Sequence, residues 1–339
     1  MKKFIVITTI NPPTKSVKAF SDKQDYHLIV VGDKKTPANW NSPNTEFISE
    51  REQERSDSKW IRYLPWNHYC RKMVGYLSAI EQGAHIIIDT DDDNIPYVEW
   101  DFPDFEGAFE TIPENGGFFN VYNHFTKQKI WPRGFPLNRI NDQSDTSGSF
   151  PETRIPIGVW QGLADGEPDV DAIYRLTNNG SCIFEDKGPV VLSRKTVCPF
   201  NSQNTAYRKE LFPLLYLPAY VTFRFTDILR GLVAQPIMWA AGYHLGFTRA
   251  TVFQERNYHN YMKDFESEIP CYLHAEKVVE SCFKATRAKN SVVDNLFNSY
   301  VELLKHKIVE GNEIKLLTAW LEELQSLGHP SDKDTKQKG

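Results

Sequence analysis

Apolar residues in the first part of the chain form short runs separated by polar stretches. Residues 3–9 and 27–31 are rich in β-branched and apolar side chains, and each run is followed by turn-forming residues. Both are predicted to be buried strands. A third apolar run covers residues 84–88. The polar stretches between the runs are long enough for crossover connections, so the pattern predicts an α/β fold with a parallel sheet.

Helical periodicity is clearest before the third strand and in the later part of the chain. Asn67 is predicted to cap a helix that stops at Gly83, because the apolar residues between them recur at intervals of three and four. Thr226 is predicted to cap a second helix, kinked at Pro236. Residues 101–155 are rich in Pro, Gly, Asn and Phe without a clear period, which indicates loops, short strands and lids.

These patterns divide the chain into three predicted regions. Residues 1–265 contain the sheet and its helices. Residues 266–328 are predicted to form a helical C-terminal extension, with amphipathic helices over 291–309 and 313–326. Residues 329–339 form a charged tail that is predicted to be disordered.

Composition excludes several functional classes. The 339 residues are 40% hydrophobic and carry a net charge of −5. An acidic balance without a basic stripe argues against nucleic-acid binding. No apolar run approaches the roughly 20 residues of a membrane-spanning helix, and residues 1–7 resemble a strand more than a signal peptide. The five cysteines are widely spaced and form no CxxC motif, which predicts reduced thiols in the cytoplasm.

The third predicted strand runs directly into an acidic cluster, Asp89-Thr90-Asp91-Asp92-Asp93-Asn94. Two carboxylates about 5 Å apart repel each other by roughly 3 kcal/mol at an effective dielectric of about 20, so a cation or solvent must offset the charge. Carboxylate oxygens select Mg²⁺ or Mn²⁺, which bind diphosphates with one or two protein carboxylates. Because α/β sheets bind ligands at the carboxyl ends of strands, the cluster predicts a metal–diphosphate site. A solvated acidic turn is the alternative.

Polar residues also follow the other two predicted strands. Thr8, Asn11 and Pro12 come at the end of the first strand, and Asp33 and Lys34 at the end of the second. These residues are predicted to hold the base and ribose of a nucleotide. Ordinary turn chemistry is the alternative, since Asn-Pro and Gly-Asp favour turns. The sequence has neither a GxGxxG nor a Walker A glycine loop, which argues against dinucleotide dehydrogenases and P-loop enzymes.

Four further residues are candidates for the site, each with a simpler explanation. Arg71 could bind diphosphate oxygens through paired N–H donors, or be a surface charge. Asp227 could be a general base, or could simply interact favourably with the dipole at the N-terminus of its helix. Asp165 lies in an acidic loop that could bind sugar hydroxyls or face solvent. His259 could complete a metal shell, although a lone histidine is more often structural.

With these residues identified, the sequence resembles the STELLO-type glycosyltransferases. The resemblance covers roughly residues 3–265 and rests on six ordered motifs: ITTINPPT (7–14), VVGDKKTP (30–37), NHYCRKMVGYL (67–77), DTDDDN (89–94), GLADG (162–166) and PFNSQNT (199–205). A fainter similarity connects Cys70-Arg71, Gly75-Tyr76 and Asp91-Asp92-Asp93 with the reversibly glycosylated polypeptides, which are UDP-arabinopyranose mutases.

Both families imply a GT-A-like fold, which is a Rossmann-type mixed sheet with helices on both faces and a metal-binding DxD motif after a central strand. Carried over, Asp91 and Asp93 would bind Mn²⁺ or Mg²⁺ and Asp92 would contact the nucleotide sugar. Asp89 is a competing first member of the motif, because Asp89-Thr90-Asp91 also reads DxD. The resemblance favours Asp227 as the base, since GT-A enzymes often place a carboxylate at a late helix start.

The resemblance therefore implies a metal-dependent glycosyltransferase. It would move a sugar from a nucleoside diphosphate sugar, expected to be UDP-linked, to a saccharide or lipid-linked saccharide acceptor in surface-polysaccharide synthesis. A nucleotide-sugar mutase and a non-catalytic scaffold of a polysaccharide-synthesising complex are the alternatives. Plant STELLO proteins carry a membrane anchor, whereas this sequence predicts a cytoplasmic protein, at most peripheral to the inner face of a membrane. The C-terminal helices could pack on the core, form a homodimer or touch that membrane.

Overall fold

The computed structural model describes residues 1–56, 58–142, 149–178, 180–255 and 260–329. This part of the chain is a mixed α/β structure built on one ten-stranded sheet. The strands are β1 (Lys3–Thr9), β2 (His27–Gly32), β3 (Thr45–Ile48), β4 (Ile86–Thr90), β5 (Asn94–Pro96), β6 (Glu106–Ile112), β7 (Glu152–Asp165), β8 (Val190–Leu192), β9 (Asn204–Arg208) and β10 (His244–Gln254).

Nine α-helices lie within the described ranges. They are α1 (Lys15–Ser21), α2 (Glu50–Arg55), α3 (Lys72–Glu81), α4 (Tyr122–Phe125), α5 (Ala172–Thr177), α6 (Thr226–Ala240), α7 (Tyr261–Ala285), α8 (Val292–Lys305) and α9 (Gly311–Ser326). Short 3₁₀ turns cover Lys59–Tyr63, Tyr69–Arg71, Leu137–Arg139, Lys209–Leu215 and Phe223–Phe225. None of these helices combines the length and the apolar character that a membrane crossing requires.

The sheet is parallel at one side and mixed at the other. Its strand order is β3-β2-β1-β4-β9-β7-β6-β8-β10-β5, and β7 also pairs with β10. The first four strands in this order are parallel, whereas β9 is antiparallel to both β4 and β7. Thr9 pairs with Gly32, and Val6 with Asp89, so β1, β2 and β4 end at the same edge of the sheet.

The two faces of the sheet bury different residues. Val6 of β1 belongs to an apolar cluster that includes Met73 of α3 and residues of α6 to α9. Its neighbour Ile5 faces the other way and packs in a cluster with Val17 and Phe20 of α1. This alternation follows from the two-residue period of a strand. Helices therefore cover both faces.

The helix predicted from Asn67 begins later in the structure. Asn67 has φ +55° and does not cap α3, whose first residue is Lys72. The reason is a tertiary contact, because the Asp33 carboxylate accepts hydrogen bonds from the backbone N–H groups of Asn67 and His68. Those two residues are therefore held as a loop at the edge of the sheet. Gly83, with φ +79°, follows the end of α3 as predicted.

The C-terminal helices pack on the sheet domain. The predicted boundary at residue 266 falls inside α7, which lies against α5 and α6. Leu296 of α8 and Trp320 of α9 are buried in the same apolar cluster as the sheet. Residues 330–339 are outside the described ranges, so the disordered tail and the division into three regions stay predictions.

Candidate active site

A cavity of about 410 Å³ lies at the carboxyl ends of β1, β2 and β4. Its volume is within the range of small-molecule sites. Because β1 has β2 on one side and β4 on the other, the cavity lies where the strand order reverses, the usual ligand position in such sheets. The described residues that line it are Thr8, Thr9, Ile10, Asn11, Asp33, Lys35, Asn67, His68, Tyr69, Asp91, Asp92, Asp93, Arg133, Asp169, Asn201, Ser202, Gln203, Phe223, Arg224, Asp227 and Gln254.

The structure brings most of the predicted site residues together around this cavity. Those that line it are Thr8, Asn11, Asp33, Asp91, Asp92, Asp93 and Asp227. Four other predicted residues, Pro12, Lys34, Arg71 and Asp165, are not among the lining residues. His259 lies outside the described ranges, so its predicted role as a metal ligand stays a prediction.

Lys34 and Arg71 do not line the cavity, and each contacts other side chains. The ammonium nitrogen of Lys34 is 3.5 Å and 3.6 Å from carboxylate oxygens of Glu50 and Glu54. The guanidinium of Arg71 stacks on Trp66 with its carbon 3.3 Å from the ring centroid, and Arg71 is only 2% exposed. Nε and Nη1 of Arg71 have no hydrogen-bond partner within the described residues, and its predicted diphosphate contact stays a prediction.

Asp165 lies at the end of β7, away from the main cavity. One carboxylate oxygen accepts a hydrogen bond from the Tyr97 hydroxyl at 2.9 Å, and the other from the backbone N–H of Phe184 at 2.8 Å. It lines a separate cavity of about 170 Å³. In this position Asp165 joins two loops and does not line the main cavity, and its predicted contact with sugar hydroxyls stays a prediction.

Asp89 is the buried end of the acidic cluster. It has no exposed surface, and its carboxylate lies 2.8 Å from the Lys72 ammonium and 2.7 Å from a guanidinium nitrogen of Arg230. Lys72 also donates to Asp91 at 2.7 Å. Asp89 and Asp91 are two residues apart in an extended segment and so face the same side of the sheet, toward α3. Of the two candidate DxD readings, only the one beginning at Asp91 has both of its outer aspartates in the cavity lining.

The environment of Asp91 perturbs its ionisation. Burial raises the pKa of its carboxyl to about 6, and Asp89 acts in the same direction, while Lys72 opposes them. Burial alone would lower the pKa of Lys72, but the charges of Asp89 and Asp91 outweigh it, and the pKa is raised. Lys72 is therefore a permanent cation beneath a carboxylate that faces the cavity.

The loop that carries the other two aspartates is tied to the segment after β1. The Asp92 carboxylate accepts hydrogen bonds from Thr9 and, at 3.1 Å, from the Asn11 amide. The Thr14 hydroxyl donates to the backbone carbonyl of Asp92 at 2.6 Å, and the Ser16 hydroxyl to that of Asn94 at 2.6 Å. Asp93 accepts from the Gln254 amide at 3.2 Å.

These contacts define what the cluster could hold. No group of three or more His, Cys, Asp or Glu side chains within the described ranges is arranged to bind a metal ion by itself. Asp91 and Asp93 are nevertheless two carboxylates on one cavity wall, and Mg²⁺-type ions commonly take only one or two carboxylates, with phosphate oxygens and water completing the shell. The residues fit such an ion only together with a phosphate-bearing ligand.

Opposite the acidic loop, Arg133 joins Asp169 and Asp227 in a buried ion cluster. Its guanidinium nitrogens lie 2.8 Å from Asp169 and 2.9 Å from Asp227, and both carboxylates are almost fully buried. Burial raises the pKa of Asp227, but the charge and hydrogen bonds of Arg133 outweigh this effect and hold it well below its usual range. Asp227 also accepts a hydrogen bond from the Tyr69 hydroxyl at 3.1 Å.

A tight turn places Arg133. The next residue, Gly134, has φ +86°, and a Cβ atom there would lie 2.4 Å from Cγ2 of Ile228 on α6. Only glycine fits this approach without displacement. Sequence reasoning missed Arg133, because the segment around it has no period that would assign it to an element. Asn201, Ser202 and Gln203 also line the cavity. They belong to the PFNSQNT motif, which could have indicated them as site residues.

Comparisons with known proteins lead to the same family as the motifs. The model of the family described as STELLO glycosyltransferases matches residues 224–336. Two Arabidopsis thaliana proteins, probable glycosyltransferases STELLO2 and STELLO1, are each 25% identical over 350 aligned positions, which cover 97% of this chain and 45% of the relative. The chain thus spans about half the length of these relatives.

A solved structure of a mycobacterial protein aligns with 81% of this chain and 75% of its own, at 10% identity and a TM-score of 0.38, which is too low to support a conclusion. The sequence comparisons are more informative, since both extend over nearly the whole chain. They confirm the resemblance predicted from the motifs: this chain is similar to the STELLO glycosyltransferases.

Proposed function

We propose that the protein is a metal-dependent glycosyltransferase of the GT-A type. It takes a sugar from a nucleoside diphosphate sugar, with UDP as the expected nucleotide, and transfers it to a saccharide acceptor in surface-polysaccharide synthesis. Similarity to the STELLO glycosyltransferases supports the transferase class. The observation that carries the proposal is the position of Asp91 and Asp93, which follow β4 and line the cavity where the strand order reverses.

The nucleoside would occupy the part of the cavity between the ends of β1 and β2. Thr8 and Asn11 lie on one side and Lys35 on the other. His68 supplies a flat ring there, stacked on Tyr69 with a centroid distance of 5.2 Å. Burial lowers the pKa of His68 to about 4, so the ring is neutral near pH 7 and can stack on a base without adding charge.

The diphosphate would lie toward the acidic loop. A divalent ion held there by Asp91 and Asp93 would neutralise charge that develops on the leaving diphosphate. Lys72 fixes one oxygen of Asp91, and Gln254 holds Asp93 from the opposite strand. These contacts leave the second oxygen of Asp91 as the group best placed to meet an ion. Asp227 lines the same cavity as the proposed base that takes a proton from the acceptor hydroxyl.

Titration calorimetry with UDP and Mn²⁺ tests the proposal. The wild-type protein should bind UDP more tightly with Mn²⁺ than without it, and Asp91→Asn should lose this metal dependence. Asp25→Asn changes an exposed aspartate away from the cavity and serves as the matched control. Equal UDP affinity with and without Mn²⁺ would remove the metal from the proposal, and no binding of any nucleoside diphosphate would overturn it.

The mutase alternative needs a different readout. NMR spectra of UDP-sugars incubated with the protein and Mn²⁺, in the absence of an acceptor, should show no change in sugar ring form. Transfer to an added saccharide should release UDP. Interconversion of pyranose and furanose forms without an acceptor would replace the transferase by a mutase.

A further inference from the structure

The basic residues that line the cavity differ in their exposure and in their ion-pair partners. Among the described residues these are Lys35, Arg133 and Arg224. Lys35 is exposed, and Arg133 is shared between two buried carboxylates. Arg224 is different: its side chain is 14% exposed, and its Nη2 lies 2.8 Å from Glu268 and 3.9 Å from Asp169. Its Nη1 makes no hydrogen bond within the part of the chain that the structure describes. It is therefore the buried cation with a donor still available to a ligand.

A carboxylate on the C-terminal helix α7 holds Arg224 in place. Oε1 of Glu268 accepts from Nε of Arg224 at 2.9 Å and lies 2.8 Å from its Nη2. The other oxygen, Oε2, accepts from the backbone N–H of Ala172 at 2.7 Å and from the Tyr272 hydroxyl at 2.7 Å. Glu268 has no exposed surface. Both oxygens are engaged, so this carboxylate has one fixed orientation.

The backbone around Arg224 is held by the same helix. Its N–H donates to the Ser267 hydroxyl at 3.1 Å, and the Thr222 hydroxyl donates to the Ser267 carbonyl at 2.6 Å. Its carbonyl accepts a hydrogen bond from Arg133. Helix α7 thus fixes both the main chain and the guanidinium of this residue, which is the arrangement needed to present a donor without rearrangement when a ligand binds.

We infer that Arg224 binds a phosphate of the nucleotide sugar and that Glu268 is the positioning residue that aims it. The inference rests on the proposed function. A nucleoside diphosphate brings negative charge into a cavity whose walls already carry many aspartates, so it needs a cationic side chain with an N–H group that the carboxylates do not engage, and Nη1 of Arg224 is such a group. Arg71, the residue that the sequence suggested for this contact, is only 2% exposed and is not among the residues that line the cavity, whereas Arg224 is.

Binding of UDP and of uridine, both measured by calorimetry with Mn²⁺, tests the assignment. Arg224→Gln should weaken UDP binding by about tenfold or more and leave uridine affinity within about twofold, because uridine has no phosphate. Unchanged UDP affinity, or an equal loss for both ligands, would overturn the inference. If the wild-type protein binds none of UDP, ADP, GDP, CDP and TDP, the proposed function fails as well, so the two failures are distinguishable.

The positioning role has its own variants. Glu268→Gln should weaken UDP binding in the wild-type background and change it little in the Arg224→Gln background, since its effect passes through Arg224. Glu276→Gln, an exposed change on the same helix, is the control and should bind like wild type. Additive losses would overturn the positioning role. If Glu268→Gln does not fold, Tyr272→Phe is the second test, because the Tyr272 hydroxyl donates to Glu268. Weaker UDP binding with unchanged uridine binding would support the positioning role. Unchanged UDP binding would overturn it.

Discussion

The ammonium nitrogen of Lys72, a residue without exposed surface, lies 2.7 Å from Oδ1 of Asp91, whose side chain is 37% exposed. This pair connects the interior of the protein to the wall of the cavity. The same nitrogen is bound to Asp89 and to the carbonyl of Thr90, so Lys72 fixes the end of β4 from beneath.

Replacing Lys72 by methionine should destabilise the fold strongly. The change keeps the volume but leaves Asp89 with one cationic partner fewer in a buried position, and breaking a buried ion pair costs about 3–5 kcal/mol. Urea unfolding followed by circular dichroism measures the loss. Lys18→Met, on the exposed side of α1, should change the free energy of unfolding by no more than about 0.5 kcal/mol. A Lys72→Met protein as stable as this control would contradict the assigned role.

Gly134→Ala tests the turn that places Arg133. The positive φ of Gly134 and its close approach to Ile228 predict a loss of about 2–4 kcal/mol in the free energy of unfolding. Gly188→Ala is the matched control, because a Cβ there meets nothing within 4 Å. Equal thermal unfolding midpoints for the two variants would show that the turn tolerates a side chain.

His124→Phe should reduce the acid sensitivity of the protein. Burial lowers the pKa of His124 to about 4, and within the described ranges neither ring nitrogen has a hydrogen bond. The unfolded chain takes up the proton near pH 6.5, so stability is lost as the pH falls from about 6.5 toward 4.

At about pH 5 this histidine should lower the free energy of unfolding by roughly 1–2 kcal/mol relative to neutral pH. The phenylalanine variant should not show this loss. Urea unfolding at both pH values gives the difference, with His306→Gln as an exposed control. The prediction fails if wild type and His124→Phe lose the same stability on acidification.

Asp227→Asn tests the proposed base. Because Arg133 holds the pKa of Asp227 well below its usual range, the carboxylate is ionised throughout the neutral range, and a fall of the wild-type transfer rate near pH 6 should come from Asp91 and be absent in Asp91→Asn. The Asp227→Asn variant should bind UDP like wild type and transfer about 10²–10⁴-fold more slowly.

Two outcomes would contradict that role. An acid decline of the transfer rate near pH 6 that persists in Asp91→Asn would point to another base, and an asparagine variant at position 227 that turns over normally would leave Asp227 as a partner of Arg133 alone. A thermal unfolding midpoint lowered without loss of transfer would identify a structural function.

Sequence patterns predicted many of the residues that line the candidate site but not the contacts that support them. The runs that became β1, β2 and β4 and the acidic segment after β4 are local signals, and parallel pairing brings their ends together. The partners of those ends come from distant parts of the chain. Lys72 rather than Arg71 meets the acidic cluster, because the residues before α3 are held as a loop by Asp33.

Other features depend on contacts that no local pattern encodes. Arg133 comes from a stretch without periodicity, and Glu268 lies on α7, within the predicted helical extension over residues 266–328. In both cases a buried charged residue is paired with an opposite charge that is distant in sequence, Asp227 for Arg133 and Arg224 for Glu268. Single-sequence periodicity reports which face of an element is apolar and is silent about such pairs.

The hydroxyl contacts of Thr14 and Ser16 with the main chain of the acidic loop have a thermodynamic consequence. Residues Asp92 and Asn94 are held by side chains of the neighbouring segment, so their backbone has little conformational freedom left to lose. Binding of a cation and a diphosphate to this loop would then avoid most of the entropic cost of ordering its backbone. That cost is about 1–2 kcal/mol for each residue fixed. Affinity at this wall would be set mainly by charge and geometry.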